Sequence, residues 1–249
     1  MTDLDCPPLS LLRGAALFLD FDGTLVELAE TPAAIRVSAE LAPLLKRLQA
    51  MLDGRLAIVS GRAVADLERH LDCSGIAVSG SHGFELRLAG GIDLPLSVPA
   101  GLGRIKEVVR DFAADDRRLV VETKPAGAAL HYRKAPEREA EAVAFMTEVA
   151  ARAGGGFSLQ HGKMVVELKA AKADKGRALR TLMAEPGFAA ARPVFVGDDL
   201  TDEDAFAAAV AMGGDGILVG AARASAAQWR LGNVAAVSAW LRAAAEALP

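Results

Sequence analysis

The first apolar run, "GAALFLDF", has the pattern of a short buried strand and stops at Asp22 and Gly23. "SAELAPLLKRLQAML" follows, with Leu41, Leu44, Leu45, Leu48 and Leu52 at helical spacing. "RLAIVSGR" predicts a second buried strand ending in Ser60-Gly61. A helix through Val64, Leu67 and Leu71 comes next, and then the strand "GIAVSG". Strand alternating with helix predicts an α/β fold whose parallel sheet is covered on both faces. Near the C-terminus the pattern returns: "PVFVGDD" as strand, "TDEDAFAAAV" as helix, "GILVG" as strand and "VAAVSAWLRAAAEAL" as a closing helix.

The middle of the chain is patterned differently. "GLGRIKEVVRDFAA" is amphipathic, and "RLVVETK" and "AALHYRK" read as half-buried strands joined near Pro125-Ala126-Gly127. "APEREAEAVAFMTEVAARAGGG" has proline near its start and glycines past its end, the asymmetry of a helix. "FSLQ" and "MVVELK" read as another strand pair around His161-Gly162. These segments predict a second α+β module at 99–171, inserted into a core formed by 1–98 and 172–249.

Composition narrows the function. The 249 residues are 52% hydrophobic, enough for a sizeable core, and 28 basic against 32 acidic residues leave a net charge of −4. That balance does not suit an electrostatic nucleic-acid binder. No apolar run approaches the ~20 residues of a membrane-spanning helix, and "MTDLDCPPLS" lacks the basic-then-apolar pattern of a secretory signal. Cys6 and Cys73 have no metal-site spacing, which points to a reduced, cytoplasmic setting with both thiols inert. We expect a monomer with no nucleic-acid or membrane partner.

Candidate chemistry gathers at strand ends, where open parallel sheets bind ligands. One strand ends in Asp20 and Asp22, another in Ser60, and a late one in Asp198 and Asp199. Carboxylates gathered at one edge repel one another unless a cation sits among them, and hard oxygen donors suit Mg²⁺. Each piece alone also fits a structural role. Asp20 and Asp22 fit a strand-to-turn cap, Ser60-Gly61 a simple turn, and Lys175 a solvated residue at a helix start that Asp174 caps. "DDLTDED" fits an acidic first helical turn.

Together and in order, the pieces resemble a known family. "DFDGT" resembles the DxDGT nucleophile motif of the haloacid dehalogenase superfamily, and "VSGR", "DKG" and "GDDLTDEDAF" resemble its three later motifs. "GSHGFE", "HYR" and "GKMVVELKAAKADKG" resemble the trehalose-6-phosphate phosphatase branch. The resemblance implies a Rossmann-like core with an inserted cap, and a small disaccharide phosphate as substrate. It implies Asp20 as nucleophile, Asp22 as acid and base, Ser60 on a phosphate oxygen and Lys175 as charge neutraliser. Mg²⁺ would be held by Asp20, the Asp22 carbonyl and Asp198, with support from Asp199 and Asp202. Gly23, Thr24 and Arg62 would contact substrate, His82 would contact substrate or serve a structural role, and Glu122, Lys124 and Glu167 in the cap would bind glucose or are exposed strand charges. His131 and Arg133, two residues apart, share a face with each other if their strand persists and would also contact substrate, or are exposed strand charges. The rival readings are a phosphatase for sucrose, mannosylglycerate or glucosylglycerate phosphate, a phosphomutase, and a non-catalytic sugar-phosphate binder.

Overall fold

The structure is a computed structural model that describes residues 4–29, 34–94, 100–124, 126–162, 164–170 and 174–247. In chain order the first elements are β1 (Ala15–Leu19), α1 (Leu41–Met51), β2 (Leu56–Val59), α2 (Val64–His70), β3 (Ala77–Gly80) and β4 (Glu85–Arg87). Then come α3 (Leu102–Ala113), β5 (Val120–Lys124), β6 (Gly127–His131), α4 (Glu139–Ala153), β7 (Phe157–Gly162) and β8 (Val165–Ala170). The chain closes with α5 (Lys175–Met183), β9 (Arg192–Gly197), α6 (Glu203–Ala211), β10 (Asp215–Val219), β11 (Trp229–Leu231) and α7 (Val234–Ala247). It divides into two compact units, Met1–Pro95 with Asp174–Pro249, and Leu96–Ala173. The boundaries expected at 98/99 and 171/172, and the joint residue Pro125, fall outside the described residues.

The first unit is built on a seven-stranded sheet in the order β11-β10-β9-β1-β2-β3-β4. Every residue of β1 and β2 is buried, because helices cover both faces. On one face Leu17, Leu19, Ile58, Val194 and Val196 share a core with Leu45 and Leu48 of α1 and Val237 and Leu241 of α7. On the other, Phe18 meets Phe188 with ring centroids 5.8 Å apart, and Phe195 meets Phe206 of α6 edge-to-face at 5.7 Å. The sheet departs from the expected all-parallel pattern at one edge, where β4 runs antiparallel to β3. The cause is local. Ser81, His82 and Gly83 all take positive φ, and the N–H groups of Gly83 and Phe84 both reach back to Gly80 O, so the chain reverses within one turn.

The second unit is a four-stranded antiparallel sheet in the order β5-β6-β8-β7. Leu130, Val166 and Leu168 are buried on the side of α3 and α4, with Ile105, Val109 and Met146. Pairing aligns Glu122, Ala129, Glu167 and Gln160 in one row across the opposite face. β6 is buried from Gly127 to Leu130 rather than half-buried. It lies between two neighbouring strands, and its small Ala129 sits in the row between the longer Glu122 and Glu167.

Candidate active site

Side chains alternate along a strand, so Asp20 falls on the same face as Ala16 and Phe18. Its N–H still donates to Val196 O at 2.9 Å, which carries the ladder one residue past β1. There Asp20 Oδ1 accepts a 2.6 Å hydrogen bond from Lys175 Nζ. Lys175 is the first residue of α5, capped by the Asp174 side chain on Arg177 N. An ammonium at a helix N-terminus opposes the dipole. Two carboxylates offset that cost, since the same Nζ also donates to Asp202 Oδ1 at 2.6 Å. All three side chains are buried. Asp202 Oδ2 accepts from Asp199 N at 2.9 Å, so both Asp202 oxygens are engaged.

Two glycines make this crowding possible. A Cβ on Gly23, whose φ is +78°, would overlap the Asp198 carboxylate, and one on Gly197 would overlap that of Asp202. Gly23, expected at the substrate, therefore stands against the acidic cluster.

Asp20, Asp198 and Asp202 each offer an oxygen within 4.8 Å of the others. Burial pushes the Asp20 pKa well above its ordinary value, with repulsion from Asp202 adding and Lys175 opposing. Burial and Asp202 raise Asp198 in the same way. Burial pulls Lys175 down, but attraction to Asp20 and Asp202 outweighs it and holds the ammonium above its usual range. Three close carboxylates against one ammonium need a shared proton or a cation. An all-oxygen, partly buried donor set fits Mg²⁺.

A sign follows for stability. Without metal, the folded protein binds protons at Asp20 and Asp198 more tightly than the unfolded chain does. Its stability at these groups is full below the ordinary carboxylate pKa and is lost as pH rises through the raised values. Mg²⁺ replaces those protons, so the gain in Tm from a fixed Mg²⁺ concentration shrinks as pH falls through the raised pKa values toward the ordinary carboxylate range. Thermal scans across this range with Mg²⁺ and with EDTA check it; a pH-independent gain would place the metal elsewhere.

Asp199, expected at the metal, lies outside the three-carboxylate group. It is exposed, and its Oδ1 accepts from Leu200 N at 2.6 Å, capping the short 3₁₀ turn Leu200–Asp202. With Asp202 it forms a capping box, each side chain accepting from a backbone N–H of that turn. The Asp22 side chain is also outside the group. It accepts from Arg62 Nε at 2.6 Å and from Arg62 Nη2 at 2.7 Å. Buried Ser60 accepts from Arg62 N through Oγ at 3.1 Å. Thr24, also buried, places Oγ1 3.5 Å from Asp20 Oδ2. His82 is exposed, its ring against Gly61 and its N–H on Ser60 O at 3.0 Å. Glu85 accepts from Val64 N at 3.1 Å and from Ser81 Oγ, so "GSHGFE" braces the Ser60–Arg62 turn.

Sequence reasoning missed Arg223 and Glu203. Arg223 pairs with Glu203 and donates Nη2 to Asp199 O at 2.9 Å, clamping the loop that carries Asp198. A lone arginine in "AARASAA" gives no signal until the fold brings it there.

In the second unit, one sheet face carries Glu122, Lys124, His131, Glu167, Lys169 and Gln160. Lys124 Nζ meets Glu167 Oε2 at 2.7 Å, His131 Nε2 lies 3.0 Å from Glu122 Oε2, and Lys169 Nζ donates to Gln160 Oε1 at 2.6 Å. Arg133 does not share this face. β6 ends at His131, and Arg133 lies exposed in the following turn, closed by Ala135 N on Tyr132 O.

Asp20 just past β1, Lys175 from α5 and the acidic loop after β9 meet at one edge of the α/β sheet, and the sequence relatives that share this fold are phosphoric monoester hydrolases. The chain belongs to the trehalose-phosphatase family, whose profile matches residues 18–234. A probable trehalose-phosphate phosphatase of Sinorhizobium fredii is 38% identical over 205 residues, 82% of this chain and 77% of its own. The trehalose-6-phosphate phosphatase of Escherichia coli is 35% identical over 234 residues, 94% of this chain and 87% of its own. The crystal structure of a trehalose-6-phosphate phosphatase related protein matches with a TM-score of 0.68 at 26% identity, over 93% of this chain and 97% of that one. No helix among the described residues is long and apolar enough to cross a membrane.

Proposed function

We propose that this protein is a Mg²⁺-dependent phosphatase that hydrolyses trehalose 6-phosphate to trehalose and phosphate through a phosphoaspartate on Asp20. The observation that carries this reading is the buried Lys175–Asp20 pair beside Asp198, in a chain of this family. Lys175 and Thr24 orient the Asp20 carboxylate. One of its oxygens attacks phosphorus, and the bond to the sugar oxygen breaks. Asp22 gives that oxygen its proton. As a carboxylate, Asp22 then takes a proton from the water that attacks the phosphoenzyme, which frees Asp20 and phosphate. Ser60, with Oγ already accepting from Arg62 N, has its own proton to donate to a phosphoryl oxygen. Mg²⁺ bound by Asp20 and Asp198 would keep Asp20 ionised and offset charge on the phosphoryl group.

The second unit supplies specificity in this reading. Its polar face alternates carboxylates, ammonium groups and an amide. Sugar hydroxyls both donate and accept, and such a face satisfies both. Lys124→Ala and Glu167→Ala each lower kcat/KM for trehalose 6-phosphate by about ten-fold or more. Both spare p-nitrophenyl phosphate, which presents no sugar. Equal losses on the two substrates would make these residues structural. Phosphate release from a panel of sugar phosphates with Mg²⁺ tests the substrate itself. A parent protein that ignores trehalose 6-phosphate and hydrolyses another disaccharide phosphate would leave the core chemistry standing and overturn the substrate.

A further inference from the structure

Asp22 must act as an acid and then as a base, yet nothing on its own strand fixes it. It lies past β1 in a loop closed by Gly23 N on Val26 O at 2.7 Å. Arg62, from the turn after β2, holds it with a two-toothed contact of 2.6 and 2.7 Å. Arg62 is itself anchored on every side. Its N–H donates to Ser60 Oγ at 3.1 Å, and its carbonyl accepts from Ser81 N at 2.6 Å. Its Nη1 donates to Asp66 Oδ2 at 2.9 Å, and its guanidinium lies over the Phe21 ring, 5.8 Å from the centroid. The Arg62 side chain is 10% exposed and that of Asp22 29% exposed, so the carboxyl is the more accessible member of the pair.

We propose that Arg62 is the positioning residue for Asp22: the anchored guanidinium, through its two-toothed contact, sets where the Asp22 carboxyl stands for its exchange with the sugar oxygen and then with the attacking water. The proposal rests on the phosphoaspartate reading above and gives Arg62 a different role from the substrate contact its motif suggests. All three of its side-chain nitrogens are committed to carboxylates, whereas a phosphate binder would aim them at the ligand. Lysine cannot reproduce a two-toothed contact.

The test compares kcat/KM, which reports steps through phosphoenzyme formation, for trehalose 6-phosphate and p-nitrophenyl phosphate. A sugar leaving group needs a proton; nitrophenolate does not. Asp22→Asn lowers the ratio of the two values by about a hundred-fold. Arg62→Ala and Arg62→Lys each lower it by about ten-fold, and neither lowers it further in the Asp22→Asn background. Asp66→Asn loosens the anchor without touching Asp22 and lowers the ratio by a few-fold, which keeps the test available if the Arg62 variants fold poorly. An unchanged ratio with both substrates weakened together, or an additive loss in the Asp22→Asn background, overturns the positioning role while the phosphatase reading stands. A ratio that Asp22→Asn itself leaves unmoved removes the acid assignment and the proposal with it.

Discussion

Asp20→Asn yields a folded protein whose phosphate release from trehalose 6-phosphate is slower by on the order of 10⁴-fold or more. The amide keeps the size and one acceptor oxygen, so Lys175 retains a partner there and its bond to Asp202. What is lost is the nucleophile. Stability argues in the same direction. The raised Asp20 pKa means that its ionised form is costly in the metal-free fold, and asparagine resembles the neutral acid. The Tm of the metal-free variant is therefore no lower than that of the parent, while its gain from Mg²⁺ shrinks because one ligand charge is gone. Acid-quenched reactions with labelled substrate trap a phosphoenzyme in the parent and none in the variant. Near-normal turnover by a folded Asp20→Asn protein would exclude the covalent route.

The buried strands were readable because their signal is local. "ALFL" and "LAIV" are apolar at every position, and only a sheet covered on both faces needs that. β4 and β11 were not readable. Each is three residues long, too short for a period, and β4 exists because a positive-φ turn throws the chain back onto β3. The site divides along the same line. Asp20, Lys175 and Asp202 are named by motifs, and the fold brings them into direct contact. Asp199 sits in the same motif, and its short side chain caps the adjacent N–H of Leu200, a local contact that the motif does not reveal. Arg133 depended on β6 running two residues further than it does. The pairing of Arg62 with Asp22 joins residues that no spacing rule connects, and only the third dimension reveals that a residue expected at the substrate is holding a carboxylate.

Lys175→Met destabilises the metal-free protein by about 3–5 kcal/mol, the usual cost of breaking a buried ion pair from one side. Methionine fills the space but leaves Asp20 and Asp202 buried without their common cation. The loss depends on pH with a definite sign. With Lys175 gone, the main attraction that opposes burial of ionised Asp20 is gone too. The folded variant then binds a proton at Asp20 more tightly than the folded parent does, so its stability falls more steeply with rising pH, and the gap to the parent widens as pH rises above the ordinary carboxylate range. Removing one of the stranded charges should help. Lys175→Met with Asp202→Asn is more stable than Lys175→Met alone, although each change by itself removes a bond. Urea titrations of the four proteins at two pH values, with EDTA present, read out both effects. Activity is lost in both Lys175 variants, since neither orients Asp20 nor neutralises the phosphoryl group. A deficit under about 1 kcal/mol that is flat with pH would mean that water reaches these carboxylates, and the electrostatic account of the site would fall with it.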